Sequence, residues 1–204
     1  MIGGMNIQML ARSQLGWDLT SSSLAVTLVG VGFAPPMLLL SIFGGVVSDR
    51  FDNKNIIQLG QLGVIAITSF IAISIFTNTI TIYHLIIVSF FQGSFWAFMM
   101  PARQSIIAEL VDDNQLNNAI SLNAAGMSLT TMISPAIGGL VYHYFGAGMT
   151  YVLITFFCIV AIIMTSMIPN TKSKNKKKSK MINEIKDVFQ ILKTHKKGSV
   201  RGLE

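Results

Sequence analysis

Charge is what this sequence has least of. Only 12% of its 204 residues are charged while 51% are hydrophobic, and soluble domains carry about twice that charged fraction. Cys158 is the single cysteine and lies in an apolar run, which excludes a disulfide framework and a cysteine-based metal site. His84 and His143 have no metal-ligating residue at a suitable spacing. No nucleophile–base pair or nucleotide-binding loop is recognisable, so we expect neither an enzyme nor a bound cofactor.

Long apolar runs take up most of the chain instead. A bilayer core about 30 Å thick is crossed by a helix of about 20 apolar residues. Five runs reach this length without an acidic or basic side chain: Leu24–Val47, Ile56–Phe76, Ile80–Met100, Ala119–Tyr142 and Met149–Ile168. A shorter segment, Ile2–Trp17, contains Arg12 and is interpreted as the outer part of a first transmembrane helix whose beginning is missing. We therefore predict an all-α membrane protein, a bundle of six transmembrane helices.

The basic residues of the chain are concentrated after the last apolar run. We predict three parts: a transmembrane bundle over residues 1–168, a basic cytoplasmic linker over 169–180, and an amphipathic cytoplasmic helix with the start of a further region over 181–204. The net charge of +6 belongs to this tail. Attraction to anionic lipid explains it better than a nucleic-acid partner, which we do not expect.

The remaining basic residues predict the orientation in the membrane. Lys and Arg prefer cytoplasmic loops. Arg50 and Lys54 lie between spans two and three, and Arg103 lies between spans four and five, whereas the intervening connections contain no Lys or Arg. We expect a multi-pass protein of the plasma membrane, with loops 2–3 and 4–5 and the C-terminal tail in the cytoplasm.

The turn "GGVVSDRFDNKN", residues 44–55, gathers charges at one such connection. Gly45 allows another helix to approach, and Asp49 can accept hydrogen bonds from the N-terminus of a neighbouring helix. Arg50 and Lys54 can reach other groups of the inner face. The candidates there are Arg103, Glu109, Asp112 and Asp113. The turn is either a conformational latch or an ordinary charged turn, and its spacing alone leaves both interpretations open.

Three separated stretches resemble one family of transporters. Gly45, Asp49, Arg50 and Lys54 match the loop 2–3 signature of the major facilitator superfamily, although Asp52 stands where glycine is usual. "MMPARQSIIAELV", residues 99–111, is similar to the drug and siderophore exporter branch. "SPAIGG", residues 134–139, resembles the span-five motif of its antiporters. The matching residues are Pro135, Gly138 and Gly139. A generic proline kink with tight packing is the alternative for this motif.

The resemblance covers essentially the whole chain and implies the N-terminal six-helix half of a twelve-helix transporter. It further implies alternating access, proton-coupled export of small amphipathic molecules, and the missing C-terminal half as a partner. Two alternatives remain open. The chain could be a half-length subunit or fragment that transports nothing alone, or a membrane anchor with a basic cytoplasmic tail.

Polar residues inside the spans are candidates for the transport cavity. Gln8 and Arg12 share one face of the first segment, which we expect to line the central cavity. Arg12 could contact an anionic substrate, pair with an acid of the second half, or extend to the outer surface. Gln92 in span four could bind substrate or tie two helices together. Ser89 stands where the wider superfamily often has an arginine, so a proton-coupling arginine is not expected in span four.

Overall fold

The computed structural model describes residues 1–168, apart from the side chain of Asp113. The predicted linker and amphipathic helix, 169–180 and 181–204, lie outside this part. Six α-helices and a short 3-10 turn, Asp113–Gln115, make up the regular structure of the described residues, and no strand occurs among them. The helices are α1 Ile2–Thr20, α2 Ser23–Val31, α3 Ala34–Arg50, α4 Asn53–Phe76, α5 Ile82–Leu110 and α6 Leu116–Ser166. The prediction of an all-α fold is confirmed for the described residues.

Four helical stretches of the described chain are long and apolar enough to cross a membrane. They are α2 with α3 (Ser23–Arg50), α4, α5 and α6. The 51 residues of α6 exceed twice the about 20 that one crossing needs. Gly146 interrupts α6 with φ 77° and ψ 178°, a positive φ that glycine adopts without a steric penalty. We call the two sides of this break α6a, residues 116–145, and α6b, residues 147–166.

The predicted second span is broken into two helices. Gly32 and Phe33 separate α2 from α3, and Pro35 and Pro36 lie in the first turn of α3, where a missing N–H removes no helical hydrogen bond. On the facing helix α5, a Cβ on Gly93 would collide with the carbonyl oxygen of Phe33. The glycine therefore lets α5 pack directly against the break.

Helix α1 packs between the two parts of α6. A Cβ on Gly138 of α6a would lie 2.7 Å from the Ile7 side chain, and one on Gly4 would lie 3.8 Å from Ile154 of α6b. Ile154 and Tyr151 are fully buried in the core beside α1. Large apolar side chains such as Leu122, which is 76% exposed, cover the outside of the bundle, as expected for a surface in contact with lipid.

The connections gather at two opposite ends. The α3–α4 turn, the end of α5 and the end of α6 meet at one end, where Asn53 contacts Glu109 and Lys54 contacts Ser166. At the other end the Tyr142 hydroxyl donates a 2.6 Å hydrogen bond to Asp18. The structure thus places loops 2–3 and 4–5 on one side, while the assignment of that side to the cytoplasm stays a prediction.

Candidate functional site

A buried polar cluster ties α1 to α5 in the middle of the bundle. Arg12 Nη1 donates to Gln92 Oε1 over 3.0 Å, and Gln92 Nε2 donates to Gln8 Oε1 over 2.8 Å. The exposed fractions of Gln8, Arg12 and Gln92 are 0%, 5% and 4%. Gln92 therefore joins both α1 side chains through one amide group.

Tyr151 of α6b completes what we call the Arg12 cluster: Gln8, Arg12, Gln92 and Tyr151. The Tyr151 side chain is fully buried in the same core as Ile7 and Ala11 of α1, the residues next to Gln8 and Arg12. Its hydroxyl and the Gln8 Nε2 have no hydrogen-bond partner within the described residues. No carboxylate of residues 1–168 pairs with Arg12. The cluster thus combines an uncompensated cation with unused hydrogen-bonding groups.

The cluster differs from what the spacing of Gln8 and Arg12 led us to expect. Their shared face is buried against α5 and α6b in this conformation, and Arg12 does not extend along the outer surface. Gln92 makes the tie between helices that was one of its two alternatives. Sequence reasoning missed Tyr151, although a tyrosine in an apolar span is a signal, because a buried hydroxyl needs a partner.

A second polar feature lies on the exposed side of α1 and α6a. Asn6 Nδ2 donates to Thr131 Oγ1 over 3.4 Å in an exposed contact between these helices. Ser128, Pro135 and Gly139 lie at helical spacing from Thr131, on the same side of α6a. We call these five residues the polar face. Neither Asn6 nor Thr131 was predicted as a site residue.

The two glycines of the span-five motif have different surroundings. Gly138 is buried against Ile7 of α1, whereas nothing lies within 4 Å of a Cβ built on Gly139. Pro135, inside α6a, is partly buried. Gly138 thus allows α6a to pack closely against α1, while the space next to Gly139 is open.

The predicted latch residues of α3 point away from the bundle. Asp49 and Arg50 are exposed, and neither forms a hydrogen bond or ion pair with another described residue. A Cβ on Gly45 would meet nothing within 4 Å. The close approach expected at Gly45 occurs instead at Gly44, whose added Cβ would collide with the Ala97 carbonyl of α5.

Lys54 has a different partner from the acids expected for it. Its Nζ donates to the carbonyl oxygens of Ser166 and Ile168, over 2.9 and 2.6 Å. These carbonyls lie at the C-terminal end of α6, where carbonyl groups lack helical partners and the helix dipole favours a cation. Lys54 therefore caps α6b rather than pairing with Glu109 or Asp112.

Glu109 is bound by a neutral side chain. Asn53 Nδ2 donates to Glu109 Oε1 over 2.8 Å, and Ser48 donates to Asn53 Oδ1 over 2.6 Å. This buried amide links the ends of α3, α4 and α5. The charge-based reasoning missed it because Asn53 and Ser48 carry no charge.

The remaining expected latch partners are Arg103, Asp112 and Asp113. Asp112 is exposed at the end of α5, and the side chain of Asp113 is outside the described part. Arg103 is partly buried, and its Nη1 has no hydrogen-bond partner among the described residues. Neither Arg103 nor Asp112 therefore forms a hydrogen bond or ion pair with Arg50 among the described residues.

Comparison with known proteins identifies the family. A family model described as transmembrane secretion effector matches residues 2–195. The chain is 24% identical to the staphyloferrin A transporter of Staphylococcus aureus over 80% of its length and 41% of that protein. It is 24% identical to macrolide efflux protein A of Streptococcus pyogenes, covering 87% of the chain and 44% of the relative.

A bicyclomycin resistance protein homolog of Haemophilus influenzae is 25% identical over 93% of the chain and 46% of the relative. The chain thus spans somewhat less than half the length of these relatives. The motifs at residues 44–55, 99–111 and 134–139 had indicated the drug and siderophore exporter branch, which these matches confirm. The chain belongs to the transmembrane secretion effector family of the major facilitator superfamily.

Proposed function

We propose that this chain is part of a secondary active transporter that exports small amphipathic molecules. The polar face of α1 and α6a carries the proposal. Asn6 places an amide on the open side of a transmembrane bundle, and its hydrogen bond to Thr131 is long. Hydrocarbon cannot satisfy the remaining donors of an amide. This side therefore faces water or another polar protein surface, as the wall of a transport cavity does.

The relatives support the kind of cargo. One is named for a staphyloferrin, another for macrolide efflux and a third for bicyclomycin resistance. All three names refer to small molecules. We infer export driven by the proton gradient through alternating access, in which two bundles rock about a central site.

The architecture that suits this mechanism has six crossings in the described part. In this proposal α1, α2 with α3, α4, α5, α6a and α6b each cross the membrane, and a second six-helix half completes the transporter. In this proposal the loops 2–3 and 4–5 face the cytoplasm, because Arg50, Lys54 and Arg103 lie on the helices that these loops connect, towards the same end.

The second half gives the latch residues a role. Gly45 and Asp49 lie one turn apart on α3. A Cβ on Gly45 would meet nothing within 4 Å, and Asp49 is exposed without a hydrogen bond or ion pair among the described residues. An open glycine allows close helix approach, and a carboxylate favours a helix N-terminus. In this proposal a helix of the second half docks here when the cytoplasmic side closes, and Arg50 supports it.

An efflux measurement in cells tests the transport proposal. The complete protein is expressed in a bacterial host lacking its own exporters, and the accumulation of a labelled macrolide and of fluorescent amphipathic dyes is followed with and without a protonophore. Expression should lower the accumulation of at least one compound, and the protonophore should restore it.

A matched pair of variants locates the cavity. Asn6→Leu removes the polar group of the proposed cavity wall and should reduce efflux. Thr27→Leu makes a similar change on the exposed side of α2, where Leu24 and Leu28 are also exposed, and should leave efflux unchanged. Equal efflux in both variants would remove the polar face from the proposed cavity.

A further inference from the structure

The Arg12 cluster holds a buried charge without a counter-ion. Within residues 1–168 the acceptor that Arg12 contacts is the neutral amide oxygen of Gln92. Burying an unpaired cation is costly, and a charge inside a membrane bundle marks a functional position. The partner that this cation needs is an anion.

The cluster also has far more donors than acceptors. An arginine supplies five N–H groups, each glutamine amide two, and a tyrosine one O–H. Both amide oxygens already accept a hydrogen bond, while Gln8 Nε2 and the Tyr151 hydroxyl are unused. Exchanging the oxygen and nitrogen of either amide does not change this excess. An acceptor-only group with several lone pairs matches the arrangement.

We propose that the Arg12 cluster binds a carboxylate of the transported molecule, so that the substrate class is small organic anions. This proposal rests on the proposed transport function. A carboxylate accepts two parallel hydrogen bonds from a guanidinium and has lone pairs left for Tyr151 and Gln8.

The anion reaches the cluster through Arg12. This residue retains 5% exposure, whereas Gln8 and Tyr151 are fully covered in this conformation. Binding at the unused donors therefore requires a local opening between α1 and α6b, in addition to the rocking of the two bundles. The carboxylate then satisfies the charge and both donors at once.

A pair of isosteric probes tests the proposal. Binding of tritiated naphthalene-1-acetate and of naphthalene-1-acetamide, its neutral analogue, is measured with the complete protein in nanodiscs. The wild-type protein should prefer the carboxylate by about tenfold or more, since a charge-assisted pair is much stronger than a neutral one. Binding of the two compounds with equal affinity would overturn the proposal.

Three variants assign that preference to the cluster. Arg12→Gln should weaken carboxylate binding by about tenfold or more and leave amide binding within about twofold. Tyr151→Phe keeps the ring and removes the unused hydroxyl, so it should fold normally and weaken carboxylate binding about threefold or more. Ser89→Ala, a control on α5 whose hydroxyl bonds only to its own helix at Leu85, should bind both probes like the wild type.

The same variants distinguish a substrate anion from an acid of the protein. If an acid of the protein itself pairs with Arg12, Arg12→Gln lowers the melting temperature and leaves the carboxylate preference intact, which overturns the proposal. Export of neutral dyes is measured in parallel. Dye export without a carboxylate preference contradicts the anion site alone, whereas the absence of all export contradicts the transport function.

Discussion

The Lys54 ammonium donates a 2.9 Å hydrogen bond to the Ser166 carbonyl and so joins the start of α4 to the end of α6b. These residues are 112 positions apart in the chain. The contact holds the end of α6b beside α4. It also separates Lys54 from Arg50, four residues earlier, which is exposed and makes no contact of this kind in the described part.

Lys54→Met should loosen the end of α6b. The loss of a cation at a helix C-terminus costs about 0.3–1 kcal/mol, and more in a partly buried site. Hydrogen exchange of the amides near residues 160–168 should therefore become faster. Lys54→Arg should retain protection, and Arg50→Met should leave exchange unchanged. If exchange became faster in Arg50→Met and stayed unchanged in Lys54→Met, the assignment of Lys54 as the cap of α6b would be contradicted.

Asp49→Asn should impair transport without affecting folding. The carboxylate has no contact in the described residues whose loss could destabilise the bundle, whereas docking of a helix N-terminus requires the negative charge. Efflux and melting temperature are measured together, with Asp52→Asn in the same turn as the control. Normal efflux in Asp49→Asn would show that the turn is not a latch.

The two glycines of the span-five motif should respond differently to alanine. Gly138→Ala places a Cβ 2.7 Å from Ile7 and should destabilise the bundle, by about 1–3 kcal/mol for such overpacking. Gly139→Ala meets open space and should leave the melting temperature unchanged. Reduced efflux in Gly139→Ala at normal stability would place it at the interface with the second half. Equal destabilisation of both variants would contradict the packing described for α1 and α6a.

The side of the membrane that each end faces is measurable by cysteine labelling. Cys158 is buried, so the wild-type chain should give little background with a membrane-impermeant maleimide. Asn55→Cys, exposed after the charged turn, should react only in inside-out vesicles. Tyr83→Cys, at the opposite end and 72% exposed in the wild type, should react in intact cells. Labelling of Asn55→Cys from outside would reverse the proposed topology.

Helix positions could be predicted largely from the sequence, because membrane thickness fixes the length of an apolar run. The predicted apolar run Ile56–Phe76 corresponds to helix α4, Asn53–Phe76. The predicted run Ile80–Met100 corresponds to helix α5, Ile82–Leu110, which extends beyond the apolar part. Breaks within a run were harder to predict. The predicted run Leu24–Val47 is broken at Gly32 and Phe33, just before Pro35 and Pro36, where α5 approaches.

The partners of the charged residues could not be predicted from spacing. Opposite charges suggested an ion pair between Lys54 and Glu109. Lys54 instead donates a hydrogen bond to a carbonyl at the end of α6b, and Glu109 accepts one from the Asn53 amide. Both outcomes depend on how α6b ends beside α4, a long-range relationship. The composition of the Arg12 cluster also depends on long-range packing. Helical spacing predicted that Gln8 lies beside Arg12, but Gln92 and Tyr151 join the cluster only because α5 and α6b pack against α1.

Transport by the purified protein tests the central claim most directly. The complete protein is reconstituted inside-out into liposomes, an acid-inside proton gradient is imposed, and the uptake of a panel of labelled amphipathic molecules is followed, a macrolide among them. Saturable uptake of at least one compound is expected, and it should collapse with the gradient and fall in Asn6→Leu but not in Thr27→Leu. Uptake no greater than that of protein-free liposomes, for every compound in the panel, would contradict it.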